Sequence, residues 1–322
     1  MSELKSNNKV SIVLLNWNNS KDTINCLKSI FKNTYKKYDI ILCDNGSDDD
    51  SVQNISSFLE SSQLSISENN QSQIEYNLSS ISECNDSKIV FLKNKHNLGF
   101  SGGNNIALKY LMCQNATDYV WLLNIDTEIA SDSIEKQVKY YTMNPNISFL
   151  GSKILDYSQR DSIQCFGGGY VTPFLRTSSF IKNSKEEINY IAGASVFISL
   201  STLKEVDLMD ETFFLYYEDI DWSFRASKIS PLAVCEESIV YHKEGGTIGS
   251  SSDPKHKEKS LTADIHGLRS RILFLKKYNT LYIIAAFIIL IAVLLNRIKR
   301  GQLNRAFILI KIFLTALVTK LK

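Results

Sequence analysis

The sequence contains no CxxC pair, no GxGxxG run, no internal repeat, and no acidic residue between Ile265 and Lys322. The six cysteines (Cys26, Cys43, Cys84, Cys113, Cys165 and Cys235) are widely scattered, most of them in apolar surroundings. That leaves them as small core residues in a reducing compartment. Met1 to Lys9 is polar and runs directly into a strand-like segment, so no signal peptide is visible and the body is expected in the cytoplasm. The acid-free stretch holds eleven of the 36 Lys and Arg residues, which leaves 25 basic against 34 acidic residues, a net of −9, in residues 1–264. An acidic body thus carries a basic, apolar tail. Leu, Ile, Phe and Ala fill the spaces between the tail's charges, which points to an anionic membrane surface and away from nucleic acid.

What is present is enough for one large domain plus an appendage: 322 residues, 44% of them hydrophobic. Strand and helix patterns alternate over the first half. Val10 to Leu15, Asp39 to Cys43, Lys88 to Leu92 and Tyr119 to Leu123 are short apolar runs that read as buried parallel strands. Lys21 to Phe31, Ser47 to Leu59 and Asn104 to Met112 carry helical spacing between them. This alternation predicts an α/β fold with a mostly parallel central sheet, flanked by helices and wound with right-handed crossovers. Residues 61–87, rich in Ser, Asn and Gln, read as a polar surface insertion. Past Pro145, mixed strands and short helices are expected to complete the domain to residue 265 and to form its acceptor side.

Residues 266–322 read as a C-terminal helical tail. Leu281 to Leu295 is an unbroken apolar run of fifteen residues. At ~1.5 Å per residue it reaches about 22 Å, short of a ~30 Å hydrocarbon core. Lys276 and Lys277 precede it, and Arg297, Lys299 and Arg300 follow. Positive charge at both ends predicts two helices lying in or dipping into one leaflet. A helical hairpin packed on the body or on a second subunit is the alternative, so an oligomer is open.

Open parallel sheets bind ligands at the carboxyl ends of their strands. Three polar clusters fall there: Asn16-Trp17-Asn18, Asp44-Asn45-Gly46-Ser47 and Asn124-Ile125-Asp126-Thr127. Each alone is ordinary turn chemistry; on successive strand ends they converge on one crevice. Together with NLGFSGGNN, GAS, FFLYYEDIDWSFR and YHKEGG, in unbroken order from Val10 to about Gly246, they resemble glycosyltransferase family 2. Within it the nearest type is the bacterial rhamnosyltransferase-like group, which implies a GT-A fold.

The resemblance implies an inverting, metal-dependent transfer of a sugar from a nucleoside diphosphate to a hydroxyl, in cell-surface polysaccharide assembly. It places Asp44, Asn16, Asn97 and Asn124 around the donor nucleotide. Gly103 would open the following helix toward the nucleotide with its amide end. Asp126, with His242 as a further ligand, would hold Mg²⁺ or Mn²⁺ against the diphosphate. Asn124 and Ile125 depart from the family's usual residues, which leaves one carboxylate in this element. Asp219 is the expected general base, because inversion by direct displacement needs a carboxylate opposite the leaving group. Glu218, Asp221, Tyr217, Gly193 and Ala194 would shape the sugar and acceptor pocket, with Phe213, Phe214 and Tyr216 as its apolar wall.

The donor implied is dTDP-rhamnose or a UDP-hexose, and the tail implies a lipid-linked saccharide acceptor at the cytoplasmic face of the cell membrane. A sugar nucleotidyltransferase would carry a glycine-rich basic loop after the first strand, where this chain reads NWNNSKDT. A non-catalytic glycan-binding or anchoring subunit has no need of Asp44, Asp126 and Asp219 together.

Overall fold

The computed structural model describes residues 8–62, 66–69, 73–77, 87–243 and 260–321. From the N-terminus β1 (Val10–Asn16), α1 (Ser20–Phe31), β2 (Tyr38–Asp44) and α2 (Ser51–Ser61) follow one another. A hairpin of β3 (Ile66–Asn69) and β4 (Gln73–Asn77) then precedes β5 (Lys88–Lys93), α3 (Gly99–Gln114) and β6 (Tyr119–Leu123). Next come β7 (Thr127–Ile129), α4 (Ser133–Met143), β8 (Phe149–Asp156) and β9 (Ile163–Phe166). β10 (Gly168–Val171), β11 (Ser178–Phe180) and β12 (Tyr190–Ile191) form a separate three-stranded sheet. β13 (Ser195–Ser199), α5 (Leu200–Val206), α6 (Glu218–Ala226) and β14 (Ala233–His242) return to the main body. The tail is α7 (Leu261–Tyr278), α8 (Tyr282–Lys299) and α9 (Leu303–Val318).

The main sheet runs β3-β4-β5-β2-β1-β6-β13-β8-β14-β7, with β9 paired to β8. β5, β2, β1 and β6 are parallel neighbours, and β8 and β14 are parallel to each other beyond the reversed strand β13. The central strands β1, β2, β5 and β6 are buried over nearly their whole length, since both faces of the sheet are covered there. Successive side chains point to opposite faces, so Ile12 and Leu14 belong to the core that includes α1, α2 and α4, while Val13 belongs to the core that includes α3, α5 and α6. The chain reverses its winding between β1 and β6, and the carboxyl ends of those two strands flank the crevice.

Two expectations change here. The polar stretch 61–87 contains β3 and β4, and β4 pairs antiparallel with β5, with Tyr76 fully buried and Ile74 nearly so. Alternation of Ile74 and Tyr76 with polar neighbours is the strand signal, masked in the sequence by flanking Ser and Asn. The tail begins at Leu261, five residues before the expected boundary, and its first helix belongs to the body. Leu273 and Phe274 of α7 pack with Phe213, Tyr217 and Ile220, while Leu268, Ile272 and Leu275 meet α8 and α9. Lys276 and Lys277 do not lie free before α8. Lys276 donates to the carbonyls of Leu317 and Thr319, and Lys277 pairs with Asp210 and Asp221, each at 2.8 Å. Cys84 and the final glycines of YHKEGG lie outside the described residues.

Candidate active site

The floor of the crevice is a network built from the first two strand ends. Asn16, fully buried, donates from Nδ2 to Asp44 Oδ2 at 2.7 Å and accepts from Thr23 of α1 at 2.8 Å. Ser47 adds its backbone N–H to Asp44 Oδ1 at 2.9 Å and its hydroxyl to Oδ2 at 2.6 Å. Asp44 is 1% exposed and its carboxylate is satisfied by these donors, so it underlies the crevice and does not line it. The surface above it belongs to Trp17, Asn45 and Asn97. Asn97 Oδ1 accepts from Asn45 at 3.0 Å and from the Gly99 amide at 2.8 Å, which orders the loop before α3.

α3 starts at Gly99, five residues earlier than the spacing suggests, and Gly103 lies inside it. A Cβ at Gly103 would meet Leu15 at 2.6 Å, so this glycine permits the helix to pack on β1 and does not open an amide end to a ligand. The actual first amides are occupied within the protein, since the Phe100 N–H donates to the Phe214 carbonyl at 2.7 Å. Gly99 has φ +75° and would place a Cβ 2.4 Å from that same carbonyl, so glycine is required there.

β6 ends in Asn124, Ile125 and Asp126, all facing one cavity of about 970 Å³. Pairing of β14 with β7 sets His242 opposite Thr127 and brings its Nε2 to 3.3 Å from Asp126 Oδ1. The other ring nitrogen, Nδ1, lies 2.7 Å from Gln164 Oε1. With Nδ1 donating to the Gln164 oxygen, Nε2 meets the Asp126 carboxylate either as an N–H donor of the charged ring or, without that proton, as an acceptor that needs a cation between the two. Burial raises the Asp126 carboxyl, but the His242 hydrogen bond and charge, with Lys243, outweigh it and hold the group below the usual carboxylate range. No cluster of three or more His, Cys, Asp or Glu completes a closed metal cage among the described residues. The pair Asp126 and His242 therefore fits a hard cation that takes its remaining oxygens from a diphosphate and water.

The start of α6 also lines this cavity. Tyr216 and Tyr217 both adopt left-handed backbone conformations, at φ +66° and +67°. Two consecutive non-glycine residues there cost about 1–2 kcal/mol each. Packing of Tyr217 against Phe274 and its hydroxyl bond to the Arg176 carbonyl, at 2.6 Å, hold the turn. The turn delivers Glu218 and Asp219 to the cavity side by side. Asp219 Oδ2 accepts the Gly193 amide at 3.0 Å and Oδ1 its neighbour Ile220's amide at 2.8 Å. Glu218 is 6% exposed and its Oε2 has no hydrogen-bond partner among the described residues. Burial raises both carboxyls, Glu218 well above its usual value, and the Asp219 charge adds to that shift.

Asn97, Asn124, Asp126, Tyr217, Glu218, Asp219 and His242 share this one cavity, with Phe214 and Tyr216 on its apolar side. Other expected site residues lie behind it. Gly193 orients Asp219, and the Ala194 carbonyl accepts the Asn124 amide at 3.1 Å. Phe213 is a core residue against Phe274. Asp221, expected in the acceptor pocket, is fully buried instead, with its oxygens on Arg225 at 3.1 Å and on Lys277 and the Tyr278 hydroxyl at 2.8 Å each. It lies two residues after Asp219, about 200° round the helix, and so faces α7. Sequence reasoning missed Thr177, Tyr190, Arg271 and the tail residues Asp264, Arg297 and Arg300, which also line the cavity. They come from the small sheet and the tail, and no local pattern marks them.

Residues 11–164 match glycosyl transferase family 2. The low-salt glycan biosynthesis hexosyltransferase Agl10 of Haloferax volcanii is 26% identical over 154 residues, covering 45% of this chain and 48% of that protein. Among solved structures, S. aureus TarS aligns with 93% of this chain and 43% of its own, at 15% identity and a TM-score of 0.53. GalNAc-T7, solved with UDP, GalNAc and Mn²⁺, aligns with 86% of this chain and 49% of its own, at 15% identity and a TM-score of 0.61. These alignments cover less than half of each of those proteins, and the structural ones share the GT-A fold with this chain.

Proposed function

From the match of residues 11–164 to glycosyl transferase family 2, we propose that this protein is an inverting sugar transferase whose general base is Asp219. Asp219 carries the proposal: it lines the same cavity as Asp126 and His242, and two backbone amides fix its orientation. In the proposed reaction an acceptor hydroxyl attacks the anomeric carbon while the bond from that carbon to the diphosphate breaks. The hydroxyl proton passes to Asp219, and the nucleoside diphosphate leaves with the bonding electrons. A divalent cation held by Asp126 and His242 would supply neutralisation of the diphosphate charge. Trp17, Asn45 and Asn97 offer a surface for the nucleotide, on a loop that Asn16 and Asp44 hold in place. Burial beside Glu218 lifts the Asp219 carboxyl, which makes it a stronger base than a free aspartate.

The donor is proposed as a UDP-hexose or dTDP-rhamnose, and the acceptor as a lipid-linked saccharide at the cytoplasmic face of the membrane. α8 is the helix, among the described residues, long and apolar enough to cross a membrane, with a mean hydropathy of 2.1. Ile284, Phe287, Ile291 and Leu295 of α8 and Phe307 and Leu314 of α9 are exposed. An apolar surface of this extent is expected to lie against lipid. The test is nucleoside diphosphate release by the full chain from a panel of nucleotide sugars with Mg²⁺ or Mn²⁺ and a membrane lipid extract. Release from one donor, lost in Asp219→Asn with donor binding retained, supports the reading. Equal release by Asp219→Asn sinks the base assignment, and release from no donor sinks the transferase reading.

A further inference from the structure

The cavity does not end at the carboxylates. It continues beyond Arg271 to the tail helices, where Asp264, Ile289, Val293, Arg297 and Arg300 close its far end. Arg297 is only 6% exposed. Its Nη2 donates to Asp264 Oδ1 at 2.6 Å and its Nη1 to Gln302 Oε1 at 2.9 Å, while its Nε has no hydrogen-bond partner among the described residues. Arg305 reaches the other oxygen of Asp264 at 3.3 Å. A further guanidinium, on the exposed Arg300, lines the same wall as Arg297. A buried N–H without an acceptor is costly, and the open donor of Arg297 beside the guanidinium of Arg300 favours an anion. Asp126, Glu218 and Asp219 also line the cavity and repel one.

We propose that this far end binds the phosphate of an amphipathic acceptor, with Arg297 and Arg300 as its ligands and the hydrocarbon chain along the apolar side of α8. The proposal rests on the transferase reading above and names the acceptor's anchoring group. Guanidinium groups match phosphate oxygens in geometry as well as charge. Ile289, Val293 and Leu309 supply an apolar wall beside them, and the outer faces of α8 and α9 are apolar and exposed. The charge gradient along the cavity orients the molecule: phosphate at the arginines, sugar hydroxyl toward Asp219. Asp264 holds Arg297 in place, as a positioning residue.

Co-sedimentation of the full chain with phosphatidylcholine vesicles tests this, with no sugar donor present. The vesicles carry decaprenyl phosphate, the uncharged alcohol decaprenol, or phosphatidylglycerol at a surface charge equal to the first. Retention is expected to be about five-fold higher on decaprenyl phosphate than on phosphatidylglycerol, the scale of one cation's interaction with a lipid anion. Arg300→Ala, at an exposed position, and Arg297→Lys, which keeps a charge on Asp264, are both expected to fall to the phosphatidylglycerol level. Equal retention on decaprenol or phosphatidylglycerol, or an undiminished excess in both variants, overturns the proposal. So does abolition of the excess by millimolar inorganic phosphate, which would make the site one for free anions. Because no transfer is measured, failure here leaves nucleoside diphosphate release by the unaltered chain as the separate test of the transferase reading.

Discussion

The Gly193 amide holds Asp219 by a 3.0 Å hydrogen bond, and a Cβ on Gly193 would lie 3.2 Å from the Asp219 Cβ. Gly193→Ala therefore pushes the carboxylate by a few tenths of an ångström without opening the core. The expected result is a drop in kcat of about ten-fold with donor KM unchanged, since displacements near 1 Å cost about a hundred-fold. Steady-state kinetics beside the circular dichroism spectrum separates this from misfolding.

Glu218 and Asp219 titrate side by side, and burial raises both carboxyls, Glu218 by the further charge of its neighbour. A base must be ionised to act, so the acid limb of kcat/KM is expected above the usual aspartate value. Glu218, the more strongly raised of the two, stays protonated while Asp219 titrates, so Glu218→Gln is expected to leave that limb in place, whereas loss of the limb's elevation would overturn the order of the pair. A pH–rate profile of both proteins reads this out.

The same pair bears on stability. A carboxyl whose folded pKa is raised opposes folding above that pKa, and the opposition fades as pH falls toward the unfolded value. Glu218→Gln is thus expected to raise Tm by a few degrees at pH 8, with the gain shrinking on acidification. Thermal melts across pH measure it; a gain that grows on acidification contradicts the assignment.

Asp221 is the shared partner of Arg225, Lys277 and Tyr278. Asp221→Ala leaves Arg225 without its carboxylate and Lys277 with Asp210 alone, a change worth roughly 2–4 kcal/mol when the partners are partly solvated. Urea unfolding is expected to show that loss, and kcat to fall with it because α6 carries Asp219.

Chelation by EDTA is expected to stop nucleoside diphosphate release, and His242→Ala to raise the concentration of Mn²⁺ needed for half-maximal activity by about ten-fold or more. A metal titration of both proteins decides it. Activity unchanged by EDTA removes the cation from the reaction.

The parallel centre of the fold was legible because its strands are buried on both faces: the predicted Tyr119 to Leu123 coincides with β6, and the predicted Val10 to Leu15 falls one residue short of β1. The start of α3 was not, because Gly99, Gly102 and Gly103 look like loop until Phe214 supplies the contact that seats them. Similarly, Asp219 and Asp221 are two residues apart in one acidic run. Only the arrival of α7 distinguishes the cavity carboxylate from the one that takes Lys277. Local pattern carries periodicity and caps, whereas the division of labour within a motif is decided by distant partners.

The clamp of α7 on Asp221 has a practical consequence for handling the protein. α8 and α9 cover one side of α7, and α7 in turn grips the helix that begins with Glu218 and Asp219. A detergent that pries the last two helices apart loosens that grip while the eleven-stranded sheet stays intact. Preparations in harsh detergent should therefore lose turnover long before they lose their far-ultraviolet spectrum, and restoring lipid should restore turnover.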